Sequence, residues 1–172
     1  LLLDLPLLPR LARVSYQHDA KRVFIAAGIA RAVLLESFHM ISQPFDGSLL
    51  VTQAMSTAQV LTNLLVDLVF TVPCYLVLFL VLWRLINRYR FSVMEYSLCI
   101  SLGQCLGDGG WSYFLEAPSM LLFLPYTMVK YQAMNVLPYL LVRARTDPGD
   151  ASCKKYFVSV AVLVATYFVC GA

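Results

Sequence analysis

The sequence predicts an all-α membrane protein, a bundle of about five transmembrane helices. Of its 172 residues, 60% are hydrophobic and 13% are charged, and the mean hydropathy is +0.72. Water-soluble domains contain roughly half apolar and about a quarter charged residues. The apolar residues also fall into five long runs, 23–42, 58–83, 91–107, 118–142 and 156–170. Each run approaches or exceeds the roughly 17–25 residues that a helix needs to cross a bilayer.

The runs divide the chain into four parts. Residues 1–22 predict a segment at the membrane interface and not a signal peptide, because the stretch 1–17 is too short and too often interrupted by proline to span. Residues 23–142 predict a membrane core of four helices. Residues 143–155 form a polar loop, and residues 156–172 add a C-terminal transmembrane helix. Pro73 lies inside the second run and predicts a tilted or bent helix there.

The basic residues predict which side of the membrane each connection faces. Of the thirteen Lys and Arg residues, eleven lie in three connections, residues 10–22, 84–90 and 143–155, whereas connections 43–55 and 108–117 contain none. The positive-inside rule therefore places the three basic connections in the cytoplasm and makes the N-terminal side cytoplasmic. We expect residence in the endoplasmic reticulum membrane. The net charge of +3 is too small, and too well explained by this topology, to predict a nucleic-acid partner.

Neither a metal nor another cofactor is predicted. The five cysteines form no CxxC pair and no His/Cys metal spacing, and four lie in apolar runs, where a thiol packs as a small hydrophobe. Glu36 and His39 have the Glu-x-x-His spacing of a di-iron ligand pair. A di-iron bundle needs that motif twice together with two more carboxylates, and the chain has it once.

Several polar side chains interrupt the apolar runs. A charge at the bilayer centre costs about 2.5–3.5 kcal/mol, so such residues usually face the bundle interior and take part in function. Glu36 and Asp67 lie well inside two adjacent antiparallel helices, which predicts a facing pair of carboxyl groups serving as proton donor and acceptor. The alternative is structural pairing of these acids with Arg31 or Lys130. Further polar residues in or next to the runs are His39, Asn63, Glu95, Gln104, Asp108 and Asn135.

One segment resembles a known family. Ser101-Leu102-Gly103-Gln104-Cys105-Leu106-Gly107-Asp108, followed by Trp111 and Tyr113-Phe114, resembles the S-x-G-Q-x-x-G-D…Y-F segment of the emopamil-binding proteins, which are sterol isomerases of the EXPERA superfamily. Met134-Asn135 resembles the Met-Asn element on the last core helix of that family. Glu36 falls on its catalytic glutamate, and Asp67 on its second acidic position. The resemblance covers residues 28–142 and implies an EXPERA-like core.

The resemblance implies an intramembrane isomerase of a sterol or polycyclic terpenoid. Such an enzyme protonates a double bond, or an epoxide, and deprotonates the resulting carbocation. We expect Glu36 and Asp67 to be catalytic, and the substrate to be bound by Asn135, Gln104, Asp108, His39, Asn63 and Trp111. Ala32 and Pro138 stand where the family has histidine and tryptophan, so we expect an altered substrate or chemistry. A non-enzymatic sterol- or lipid-binding protein and a small subunit of a membrane complex are the alternatives, and a homodimer stays open.

Overall fold

The computed structural model describes residues 8–42, 55–111, 124–146 and 148–170, with the side chains of Leu8 and of residues 39–42 left out. This part of the chain is helical, which confirms the predicted all-α class. Helices α2–α6 lie on the five apolar runs. The elements are α1 Leu8–Ser15, α2 Ala20–Ser42, α3 Thr57–Arg88, α4 Val93–Cys105, a π-helical turn Leu106–Gly110, α5 Leu124–Val142, a 3₁₀ turn Arg143–Arg145 and α6 Lys154–Cys170.

Local sequence signals set several of the helix ends. Ser56 and Ser92 each cap a helix, accepting a hydrogen bond from the backbone N–H of Gln59 and Glu95, whose side chains accept one in return. This reciprocal arrangement satisfies donors that the first helical turn leaves open. After α4, the π-helical turn contains Gly109, whose φ of 85° is strained for any residue with a Cβ atom.

The helices after α1 pack as a closed ring in the order α2, α3, α6, α4, α5. Helix α2 packs against α3 and α5, helix α4 packs against α5 and α6, and α6 closes the ring against α3. The short α1 packs against α5. Successive helices alternate in direction, so the neighbours α4 and α6 both begin at the same end of the bundle.

Glycines let three pairs of helical segments approach closely. A Cβ atom at Gly28 of α2 would lie 2.3 Å from the ring of Phe79 on α3. A Cβ atom at Gly103 would lie 2.8 Å from Leu163 on α6, and one at Gly107 would lie 2.8 Å from Tyr167, one turn further along α6. Gly103 and Gly107 have the small-xxx-small spacing that brings helices together in membranes.

Hydrogen bonds join the three basic connections at one end of the bundle, called the basic end below. The Arg90 N–H donates to the Asp150 carbonyl at 2.8 Å, and the Asp150 N–H donates to the Arg88 carbonyl at 3.2 Å. The Arg145 guanidinium donates to the Ser15 carbonyl at 2.7 Å. The Ser152 N–H donates to the Asp150 carboxylate and holds the pKa of that carboxyl below its usual range. The grouping of three basic connections matches the alternation seen in the sequence.

Among the described helices, one is both long and apolar enough to cross a membrane. Helix α3 has a stretch with mean hydropathy 2.5, of which 11% is buried inside the bundle. Helices α4 and α6 have 13 and 17 residues, and α2 and α5 carry polar residues such as Arg31 and Lys130 within their length. Five membrane spans therefore remain a proposal.

The bundle buries polar side chains and exposes apolar ones. Gln104, Asn135, Ser101 and Ser159 are 0% exposed. Large apolar side chains instead line the outside of the helices, including Leu65, Val69, Phe70, Phe157, Phe168 and Val169. In a water-soluble protein an exposed apolar surface of this extent marks a contact with a partner or a membrane.

The contact of Gly28 with Phe79 gives a prediction for stability. Gly28→Ala pushes a methyl group into a fully buried ring, so we expect the free energy of unfolding to fall by about 1–3 kcal/mol. Chemical unfolding in detergent micelles, followed by circular dichroism, measures this. Gly149→Ala is the control, because nothing lies within 4 Å of its new methyl group. Adding Phe79→Leu to Gly28→Ala should restore part of the loss, and strict additivity of the two changes would contradict this packing.

Candidate active-site cavity

A cavity of about 240 Å³ lies between α2, α3, α6 and the π-helical turn. Most of its surface is apolar, and two carboxyl groups border it. The lining residues are Glu36, Phe70, Thr71, Cys74, Tyr75, Leu78, Asp108, Thr166, Tyr167 and Cys170. A mostly apolar cavity with a few converging polar groups is the usual form of a small-molecule site.

Each of the two carboxyl groups accepts a hydrogen bond from a tyrosine. The Tyr75 hydroxyl donates to Oε1 of Glu36, which joins α3 to α2. The Tyr131 hydroxyl donates to Oδ2 of Asp108, which joins α5 to the π-helical turn. A third tyrosine, Tyr167 on α6, lines the same cavity as both carboxyl groups. The carboxyl groups therefore belong to one cluster although they come from distant parts of the chain.

These side chains share one level of the bundle because of where they lie on their helices. At a rise of 1.5 Å per residue, each lies about 16–24 Å along its helix from the basic end. The five residues of this layer are Glu36, Tyr75, Asp108, Tyr131 and Tyr167. The layer is far enough from the basic end to lie inside the hydrocarbon of a bilayer whose headgroups meet that end.

The backbone at the end of α4 brings Asp108 to the cavity. Asp108 itself has φ −82° and ψ 29°, and Gly109 follows with φ 85°, so regular helix ends here. Gly107, the preceding residue, lies against Tyr167 without space for a Cβ atom. The lack of a side chain at Gly107 and the turn at Gly109 therefore hold Asp108 close to α6.

Gln104 and Asn135 form a buried polar pair next to this layer. The Asn135 amide donates to Gln104 Oε1 across the contact of α4 with α5, and to the Tyr131 carbonyl at 2.7 Å. Gln104 precedes Asp108 by one turn, and Asn135 follows Tyr131 by one turn. Both were predicted to bind substrate; neither is among the described residues that line the cavity. Within the described part, Gln104 Nε2 and Asn135 Oδ1 have no hydrogen-bond partner.

Asp67 lies on α3 beyond the cavity, on the side away from the basic end. It precedes Tyr75 by two turns, so the two residues are about 12 Å apart along the helix axis. Asp67 is half-buried, and its carbonyl accepts a hydrogen bond from Thr71 Oγ1 at 3.0 Å. It is not among the described residues that line the cavity, whereas Glu36 is. Catalysis by Glu36 and Asp67 together stays a prediction.

Two other predicted binding residues, Asn63 and Trp111, are not among the described residues that line the cavity. The Asn63 amide contacts Met55 Sδ at 3.7 Å, and on α3 Asn63 lies even further from the basic end than Asp67. Trp111 is 44% exposed at the end of the π-helical turn. The His39 side chain lies outside the described residues.

The two cations inside the apolar runs have contacts on α5. Arg31 Nε donates to the Ala133 carbonyl at 3.0 Å, which bridges α2 and α5. Lys130 Nζ lies 5.9 Å from the centre of the Tyr131 ring. Tyr131 in turn binds Asp108, so Lys130 stands next to the cluster without lining the cavity.

The three tyrosines are not among the site residues predicted from the sequence. Tyrosine in an apolar run usually marks a membrane interface, where its ring is apolar and its hydroxyl is wet. Tyr75, Tyr131 and Tyr167 are instead far from the predicted basic connections. Measuring each run from its basic end would have placed all three at one depth, together with Glu36 and Asp108.

Comparisons with known proteins give no assignment. No protein-family model matches the chain, and no curated protein or solved structure matches it significantly. The resemblance to the emopamil-binding proteins therefore rests on the residues of the 101–108 segment and the single positions around it. Among the described residues, no group of three His, Cys, Asp or Glu side chains is arranged to hold a metal ion.

The buried amide pair predicts a coupling energy. Asn135→Leu leaves the Gln104 amide buried without its partner, so we expect the free energy of unfolding to fall by about 1–3 kcal/mol, and Gln104→Leu to act similarly. The double variant should lose clearly less than the sum of the two. Unfolding curves of all four proteins, recorded in the same detergent, measure this. If the loss in the double variant equals the sum of the two single losses, the amides do not interact.

Proposed function

We propose that the chain is an intramembrane isomerase that moves a double bond in a polycyclic terpenoid or sterol by acid–base catalysis. The observation that carries the proposal is the pair of carboxyl groups, Glu36 and Asp108, on one apolar cavity, each with a tyrosine hydroxyl as partner. The resemblance of the 101–108 segment to the emopamil-binding proteins supports the same reaction class.

The distribution of side chains supports a membrane location. A helix of 32 residues that served as the core of a soluble protein would be mostly buried, but the apolar stretch of α3 is 11% buried. Apolar side chains also face outward on the other helices, for example Phe38, Met94 and Phe168. Buried amides and hydroxyls with apolar residues outside are the arrangement that hydrocarbon solvent favours.

The chemistry needs one acid, one base and no water. In the proposed reaction the carboxylic acid of Glu36 gives its proton to one carbon of the double bond, which leaves a carbocation and the Glu36 carboxylate. The Asp108 carboxylate removes a proton from a neighbouring carbon, and that C–H electron pair forms the new double bond. The substrate gains one proton and loses one, so it is isomerised without an oxidant or cofactor.

The tyrosines provide a route that restores the starting state. After turnover Asp108 carries the proton and Glu36 carries the charge. Tyr167 lines the same cavity, and Tyr75 and Tyr131 are hydrogen-bonded to one carboxyl group each. Asp108 is exposed in the described part of the chain, so its proton exchanges with water, and transfer through the hydroxyl groups returns a proton to Glu36 between turnovers. The largely apolar lining limits the water that would otherwise trap the cation.

Carboxamide variants test the two acids. In Glu36→Gln and Asp108→Asn we expect turnover to fall about 100-fold to 10,000-fold, because a carboxamide neither donates nor accepts the transferred proton. The substrates are ring-unsaturated sterols and polycyclic terpene alkenes in membranes prepared in deuterated water. Mass spectrometry detects the deuterium that protonation fixes on carbon.

Two further variants make this assay decisive. Asp19→Asn removes a carboxylate outside the cavity, one that accepts from the Arg22 N–H, and should leave deuterium incorporation unchanged. Asp67→Asn tests which residue is the second acid. If Asp67→Asn is inactive while Asp108→Asn keeps its activity, Asp67 is the second acid and Asp108 is not. If the wild-type protein binds these lipids but incorporates no deuterium with any of them, the protein is a lipid-binding protein and not an isomerase.

Two cysteines report on occupation of the cavity. Cys74 and Cys170 line it from α3 and α6, and Cys74 Sγ contacts the Cys170 carbonyl at 3.7 Å. We expect a saturating sterol to slow their reaction with a membrane-permeant maleimide several-fold, because the ligand covers both thiols. Cys153, exposed in the loop before α6, is the internal control and should react at an unchanged rate. Peptide mapping gives the rate at each cysteine.

A further inference from the structure

A second cavity lies at the basic end, away from the acidic cluster. Its volume is about 310 Å³, and in contrast to the first cavity its surface is mostly polar. It is formed by the link from α3 to α4, the last turn of α5 and the segment that leads from α5 to α6. Its lining residues are Arg90, Phe91, Tyr139, Arg143, Thr146 and Pro148.

The two arginines stand on a fixed backbone. The Arg90 N–H is bound by the Asp150 carbonyl, and the Arg90 carbonyl accepts from Lys155 Nζ at 2.8 Å. Arg143 begins the 3₁₀ turn, where its carbonyl accepts from Thr146 Oγ1 at 3.1 Å. The side chains of both arginines are exposed, although their main chains are held in place. Little backbone ordering is then needed when a ligand binds.

The floor of this cavity is rigid. Phe91 and Tyr139 are 4% and 3% exposed, and the Tyr139 hydroxyl donates to the Phe91 carbonyl at 2.7 Å. The Tyr139 ring stacks on Tyr96 with a centroid distance of 4.0 Å. Aromatic side chains thus close the bottom of the cavity, and the guanidinium groups stand at its sides.

The described lining residues of this cavity carry a positive charge. Among its described lining residues two are arginines and none is acidic. Lys155, which is next to the cavity floor with its Nζ 5.5 Å from the Phe91 ring centre, is paired with Glu95 at 2.8 Å. Glu95 is therefore already neutralised by a neighbouring cation, whereas the lining arginines face the cavity. Guanidinium groups bind phosphate oxygens through paired, charge-assisted hydrogen bonds.

We propose that this cavity binds a phosphate group, supplied by the headgroup of an anionic membrane lipid. The basic end would lie at the cytoplasmic headgroup level of a membrane-spanning bundle, and basic pockets between helices at that level bind such headgroups. The inference rests on the membrane location proposed above and not on the isomerase reaction. A free phosphate or pyrophosphate has the same chemistry and is the other source to be distinguished.

Binding to the purified full chain tests this inference. Lipid adducts are counted by native mass spectrometry, with phosphatidic acid as the anionic probe and phosphatidylcholine as the zwitterionic one. We expect retention of phosphatidic acid alone, weakened about tenfold or more in each of Arg90→Gln and Arg143→Gln through loss of charge-assisted hydrogen bonds. Arg84→Gln is the matched control, because Arg84 is an exposed arginine near the same end that does not line the cavity.

Each other outcome decides against some part of the inference. If Arg84→Gln weakens the binding of phosphatidic acid as much as the two cavity variants do, the proposed site is wrong and the lipid is held by unspecific charge attraction. Binding of inorganic phosphate or pyrophosphate with the same dependence on Arg90 and Arg143, without retention of phosphatidic acid, supports the phosphate site but overturns the lipid source. Circular dichroism shows whether each variant is folded. Since the assay involves no turnover, its result is independent of the deuterium experiment.

Discussion

The polar contact between α4 and α5 sets the positions of the other parts of the site. Two hydrogen bonds, Gln104 with Asn135 and Asp108 with Tyr131, are one helical turn apart on each helix. They fix the axial register of this antiparallel pair, because a slip of one turn would break both hydrogen bonds and separate two fully buried polar groups, the Gln104 and Asn135 amides. In an apolar surrounding each such group costs several kcal/mol, so the register is strongly selected. The depth of Asp108 follows from it.

The same short segment also determines how α6 closes the ring. Gly103 and Gly107 alternate with Gln104 and Asp108, so the small residues face α6 while the polar residues face α5. A helix that must touch one neighbour closely and bind another by hydrogen bonds needs both residue types at intervals of four. This explains physically why such a sequence pattern forms a recognisable motif. It also explains why Tyr167, which lies against Gly107, is near both carboxyl groups.

Much of the fold could be predicted from the sequence, because it depends on composition and local signals. The apolar runs predicted the positions of α2–α6, and the basic residues predicted which connections lie together. The relation of Glu36 to Asp67 could not be obtained in this way. Axial register between helices depends on which side chains fit together, here Gly28 with Phe79 and Glu36 with Tyr75, and these contacts place Asp67 beyond the cavity. Hydropathy gives the depth of a residue only to within a few turns.

The bundle keeps its cations and its cavity carboxyl groups at different levels. At the basic end, cations stand on hydrogen-bonded connections, where water and headgroups can solvate them at small cost. In the layer about 20 Å further along, Glu36 and Asp108 each have a tyrosine hydroxyl and few other polar neighbours among the lining residues. The two carboxyl groups are thus separated along the bundle from the cations of the basic end, and the cavity between them is where the proposed reaction would need its acid and its base.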